Sequence, residues 1–211
     1  MKKELSYLVV EYNQCDKKYL DYICNKIQNI SKEIVDFFEI KTIKINVKLF
    51  DKIELFQNTA KNNAPHLLIN NEIPLWLCGI SIENNIYTLS LKELQKTSSY
   101  RNGTFDDLAC LILHEFTHSC VHTIVNGTYN WLGEGIASTL SHQYDNKKGV
   151  FNASLDQMID GNTNYFNYYL MFSYVLKTYG KDYILQLLKD KTLLKNDTPK
   201  LYEEVKKYYN K

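Results

Sequence analysis

Leu113-His114-Glu115-Phe116-Thr117-His118 lies inside the run Asp106 to Val125 and decides how the rest of the chain is read. On a helix, residues four apart are separated by ~6 Å along the axis and only ~40° around it. His114 and His118 therefore share one face, and both can reach a single Zn²⁺, whose bonds to imidazole nitrogen are ~2.0–2.1 Å. Glu115 points beside that position rather than at it, where a carboxylate can take the proton of an activated water. Leu108, Leu111, Ile112, Phe116 and Val121 surround the motif with apolar residues. A buried helix with its polar groups turned to one side is the expectation. Two satisfied core histidines would give the same pattern, so further ligands matter.

A catalytic zinc site has three protein ligands and one open position. His122 continues the histidine row, but eight residues of straight helix separate it from His114 by ~12 Å, too far for one tetrahedral ion. A third ligand of the His-x-x-Gly-x-x-His type is also missing, because those positions are Val121 and Ile124. Glu134, in Asn130-Trp131-Leu132-Gly133-Glu134-Gly135-Ile136-Ala137-Ser138, is the better candidate. An unpaired charge in that small, apolar surrounding is costly, and a cation would relieve it. A carboxylate near a helix N-terminus also suits the helix dipole, the blander explanation of the same residue.

Outward from the motif, the chain reads as strands first and helices second, an α+β pattern. Leu5 to Tyr12 is β-branched and aromatic, a first strand. Leu20, Ile23, Ile27, Ile30, Ile34 and Phe37 make one helical stripe after Asp16. Ile43 to Leu49 alternates apolar with polar residues, a half-buried strand. A short helix is expected at 53–60 after Asp51, broken by Asn62-Asn63-Ala64-Pro65. Leu75 to Ile82 and Ile86 to Leu91 flank Glu83-Asn84-Asn85 as a hairpin. Thr104 caps the motif helix, with Asp106 and Asp107 in its first turn and Gly127 at its end. A helix follows over 131–143, then a polar loop over 145–164. Tyr165 to Tyr179 forms a helix stopped by Gly180, and Asp182 to Leu188 follows it. Thr198-Pro199 reads as the start of a last helix. The expected organisation is one catalytic domain with an α/β sublobe over 1–126 and a helical sublobe over 127–211.

Composition narrows the classes. A formal net charge of +1, with no long single-sign block, gives no footprint for nucleic acid or a membrane surface. Five scattered cysteines, odd in number and without Cys-x-x-Cys, fit reduced thiols in a cytoplasmic protein. The apolar N-terminal run Leu5 to Val10 is too short for a signal peptide, and no stretch has the ~18 apolar residues of a membrane span.

His114-Glu115-x-x-His118 followed by Trp131-Leu132-x-Glu134-Gly135-x-Ala137 resembles the gluzincin class of zinc metallopeptidases, closest to the zinc aminopeptidase and thermolysin-like group. The likeness is specific over about Thr104 to Gln143. It implies a zincin-like fold with a small mixed sheet, a hairpin edge strand, the active-site helix and a mostly helical C-terminal lobe. It implies one zinc ion on His114, His118 and Glu134, with Glu115 as general base. The aminopeptidase relatives place an oxyanion-stabilising Tyr at the head of a later helix ending in Gly, and Tyr165 matches, with Tyr168 and Tyr169 beside it. The substrate implied is a peptide or protein, adding as a strand to the hairpin at Ile86 to Leu91. Ser81-Ile82-Glu83-Asn84 matches only the end of the strand with which the exopeptidases bind a free amine, and Glu83 also reads as a turn residue. An endopeptidase or narrow-specificity peptidase is therefore favoured over an aminopeptidase. Ser138 stands where the thermolysin branch has an Asp. The alternative is a catalytically silent binding or regulatory protein on the same fold, against which the retained Glu115 speaks.

Overall fold

The computed structural model describes residues 1–161 and 163–210. Five strands, β1 (Lys2–Glu4), β2 (Leu8–Glu11), β3 (Ile45–Phe50), β4 (Gly79–Ile82) and β5 (Asn85–Leu89), form one sheet in the order β1-β2-β3-β5-β4. The inner strands β2, β3 and β5 are parallel, and the edges β1 and β4 run antiparallel to their neighbours. With eight α-helical segments as well as this mixed sheet among the described residues, the chain is α+β. Two compact units divide it, Met1–Ser119 and the residues from Cys120 onward.

In the first unit, α1 (Lys17–Phe38) buries Leu20, Ile23, Ile27 and Ile34 of the expected stripe, whereas Ile30 and Phe37 are half-buried and Phe38 takes the inward position at its end. β3 alternates buried Ile45, Val47 and Leu49 with exposed Asn46 and Lys48, so its period of two is that of a strand with one dry face. α2 (Ile53–Asn63) follows, then the short α3 (Leu91–Leu94) and α4 (Phe105–His122), which carries the histidine motif. Thr104 and Asp107 close a capping box at its start: Asp107 N–H donates to Thr104 Oγ1 at 3.2 Å, and Thr104 N–H donates to Asp107 Oδ2 at 2.7 Å. Lys26 and Tyr22 of α1 donate to Asp106 Oδ1, and the lysine beside it holds that carboxyl below its usual range.

The N-terminal strand expected over Leu5 to Tyr12 is the shorter β2, and an unexpected strand, β1, precedes it. Leu8 and Val10 are buried in β2, whereas Lys2, Lys3 and Glu4 are all exposed in β1. With no apolar alternation, only main-chain pairing with β2 makes that segment a strand. The hairpin appears where expected, turning at Glu83 with a positive φ of 52°. Its exposed partner is the reverse of the expected one. β5 is paired on both sides, by β3 and β4, so Ile86 to Leu89 is interior and β4 is the free edge. Leu91 has already left the sheet for α3.

The regular elements described beyond α4 in the second unit are all helices: α5 (Asn130–Leu140), α6 (Leu155–Asp160), α7 (Tyr165–Lys189) and α8 (Lys191–Tyr209). α4 stops at His122, earlier than the Gly127 expected to end it, and Gly127 takes its positive φ of 76° in the connection to α5. Gly180 breaks α7 at φ 82°, as its sequence position implied. Pro199, by contrast, lies inside α8. Asp190 is the true cap, its Oδ1 accepting from Thr192 and Leu193 N–H, so the cap lies eight residues before Thr198. Thr198 instead donates to Leu194 O within that helix and accepts from Trp131 Nε1 at 3.2 Å.

α5 and α7 approach so closely that Gly135 has no room for a side chain. A Cβ there would lie 2.6 Å from Phe172 Cβ and 2.8 Å from the Tyr168 carbonyl oxygen. Gly135→Ala is expected to destabilise the protein by about 1–3 kcal/mol, the usual cost of overpacking a filled interior, read as a lower midpoint in urea at unchanged m.

Candidate metal centre

α4 is apolar nearly all round. Leu108, Ala109, Ile112, Leu113 and Phe116 are fully buried. Into this surface the helix sets His114, 5% exposed, and Glu115, 8% exposed. The neighbouring polar residues leave the centre to them. Thr117 donates to Leu113 O and Ser119 to Glu115 O, both along the helix's own backbone.

The two imidazoles meet edge to face, with ring centroids 4.7 Å apart, and their Nε2 atoms lie 3.0 Å from one another. Two nitrogens on a tetrahedral zinc with bonds of ~2.0–2.1 Å are separated by about 3.3 Å. The pair is therefore within a few tenths of an ångström of a shared ion's geometry, using the same ring nitrogen from each residue. One ligand atom each from His114, His118 and Glu134 lies within 4.8 Å of the others. Two imidazole nitrogens and one carboxylate oxygen suit zinc in type and number, and leave its fourth position for water or substrate. His122, exposed at the end of α4, is not in the group.

Glu115 points past the histidines to the edge strand. A Cβ built on Gly79 of β4 would lie 3.2 Å from Glu115 Cγ and Oε1, and 3.1 Å from Leu111 Cδ1. The glycine lets strand backbone and carboxylate pack directly. The sequence held no signal for this, because Gly79 reads there as an ordinary strand residue.

Around Glu134, in the second unit, the surroundings are aromatic. Burial first, and then the Glu134 charge, push the Tyr144 phenol up to about 12; the same two causes raise Tyr168. Tyr168 is 2% exposed. Tyr165, one turn earlier at the start of α7, is 37% exposed and stands edge-on to Tyr168, with ring centroids 6.0 Å apart. Tyr169 stacks on Phe166 and meets Tyr144 in an aromatic cluster. Of the three, Tyr165 is the one whose ring solvent reaches most freely. Ser138, at the position of the thermolysin-like Asp, is fully buried and its hydroxyl is without a partner, so it orients no histidine. Glu83 is an exposed turn residue, as the plainer of its two readings had it. All five cysteines are free, and burial pushes the Cys120 thiol up to about 12, away from reactive thiolate.

Because the ligand geometry belongs to the folded state, zinc at a hundred times its dissociation constant is expected to stabilise the protein by about 2.7 kcal/mol. The rise in melting temperature checks this. His118→Ala should abolish the rise and Ser119→Ala should keep it.

Comparison with protein-family models, with curated proteins and with solved structures finds no match to this chain.

Proposed function

We propose that the protein is a zinc-dependent peptide hydrolase of the gluzincin type, with His114, His118 and Glu134 as metal ligands. The observation that carries this reading is the grouping of those three residues beside Glu115, a buried carboxylate that no purely structural metal site requires. A zincin-like assignment of the sheet and helices fits the same reading. Zinc, when bound, supplies Lewis acidity that polarises the scissile carbonyl and brings the pKa of a water towards ~7.

The chain's own residues supply the rest. Glu115 accepts the proton of the attacking water and delivers it to the leaving amine. Low exposure keeps bulk water from competing at that carboxylate. Tyr165 donates its hydroxyl to the carbonyl oxygen as it gains charge; the Tyr168 hydroxyl is sealed from substrate. The peptide lies along β4, the free edge. The closing pair of a two-residue hairpin is hydrogen-bonded and the pairs then alternate, so Gly79 and Ser81 turn their main-chain N–H and C=O groups to the open side. Those groups hold an extended peptide by strand addition, with its backbone passing Glu115. The position of Glu83 in a turn favours internal cleavage over capture of a free amine. Five free cysteines support a reducing, cytoplasmic setting.

The test pairs metal analysis with peptide-library cleavage. Wild type should carry one zinc and cleave, and Glu115→Gln should keep the zinc and lose at least about 10³-fold in kcat. Stoichiometric zinc without cleavage by wild type would favour the silent binding module; absence of metal binding would overturn both. Tyr165→Phe should lower kcat about 10²-fold with little change in KM.

A further inference from the structure

The segment leading into β4 displays apolar side chains where turns ordinarily carry polar ones. Leu77 N–H donates to Pro74 O at 3.0 Å, closing a turn whose two corner residues are Leu75 and Trp76. Turn corners favour Gly, Pro, Asn, Asp and Ser, because their backbone and short side chains suit the bend and tolerate water. Here the corners are a leucine 71% exposed and a tryptophan 53% exposed. The turn is held from both sides. Ile73 and Cys78 are buried on either side of it, and the Cys78 thiol lies 3.4 Å from Trp76 O and 3.6 Å from Thr97 Oγ1. Its apolar groups are therefore presented by a fixed frame rather than by a loose loop.

The position in the chain says what covers them. Gly79, against Glu115, is three residues after Trp76. A peptide paired with β4 in the more stable antiparallel sense runs from Ser81 towards Gly79 and then over the residues before it. Its part beyond the scissile bond, on the C-terminal side, thus meets Leu75 and Trp76. Trp76 precedes Gly79 by three residues and the chain between them bends, while an extended peptide advances ~3.4 Å per residue, so the peptide reaches the turn two or three residues past the bond. We propose that Leu75 and Trp76 form an apolar subsite that selects a large hydrophobic residue at that distance C-terminal to the cleaved bond. This rests on the peptide-hydrolase reading and adds to it a substrate class, extended chains with a buried-type side chain downstream of the cut.

The protein contains its own reporter. Of its two tryptophans, Trp131 is fully buried and Trp76 is not, so an environment-sensitive fluorescence change on binding reads Trp76. Zinc-loaded wild type is given a mixed peptide library and the cut positions are mapped by mass spectrometry. Leu, Phe, Met or Trp should be enriched two or three residues after the bond. Leu75→Ser with Trp76→Ser should erase that enrichment and raise KM for an apolar peptide at least about tenfold, the factor worth 1.4 kcal/mol. Trp76→Phe should retain both. Glu115→Gln, mixed with the same uncut apolar peptide, should show a blue-shifted Trp76 emission. Cleavage without the enrichment, or enrichment unchanged in the double variant, overturns the subsite and leaves the hydrolase reading standing. A blue shift with peptide but no cleavage by wild type removes the hydrolase reading and, with it, the subsite as a selector downstream of a cut, leaving Leu75 and Trp76 as a peptide contact only. Neither signal removes both. A shift with phosphatidylcholine–phosphatidylglycerol vesicles and none with peptide assigns the turn to a lipid surface and overturns the subsite.

Discussion

Two ionisable groups, His114 and Glu115, are held almost out of water on a helix that is otherwise apolar. Removing such groups from solvent costs several kcal/mol unless something compensates. Much of the local architecture answers that constraint. The capping box of Thr104 and Asp107 fixes where α4 begins, and the apolar residues around the motif fix which way it faces. Thr117 and Ser119 satisfy their hydroxyls on the helix backbone. The two histidines turn the same ring nitrogen to one point. The side chains so gathered, two imidazoles and a carboxylate, are of the types that ligate a divalent cation.

A second constraint is proximity, met by glycine. Gly79 admits the Glu115 carboxylate to the backbone of β4, and Gly135 admits α7 to the backbone of α5, the helix that carries Glu134. A methyl group would crowd the Glu115 and Leu111 side chains at Gly79 and would force α5 and α7 apart at Gly135. Neither glycine needs unusual dihedral angles; what each provides is absence of volume.

The free edge of β4 links the centre to its surroundings. Its main-chain groups, the carboxylate at Gly79 and the apolar turn at Leu75 and Trp76 follow one another within a few residues. A peptide laid there would find backbone partners, a base and a hydrophobic contact in that order. The proposed chemistry and the proposed selectivity therefore come from one short stretch of chain, read against one helix.

Much of this was legible in residue order, for reasons that differ by element. Periodicity is local, so the α1 stripe, the alternation of β3 and the hairpin around Glu83 could be read directly. Spacing within one helix is also local: His114, Glu115 and His118 follow from 3.6 residues per turn, and His122 is ruled out by the same geometry. Glu134 was reached because a charge among small apolar residues asks for a partner. Other features depend on what lies across space. β1 is a strand only through pairing with β2, and Pro199 is inside α8 because the Asp190 cap starts the helix early. Sequence could name the hairpin but not its free side, since β3 chooses β5 as its neighbour and leaves β4 open. Nor could it separate Tyr165 from Tyr168, whose difference is burial against another helix. The sequence by itself determined the chemical groups and their spacing along each helix. Only the tertiary structure decided which hairpin strand is the edge, which glycine packs against Glu115 and which tyrosine is buried, because those are set by packing between segments distant in the chain.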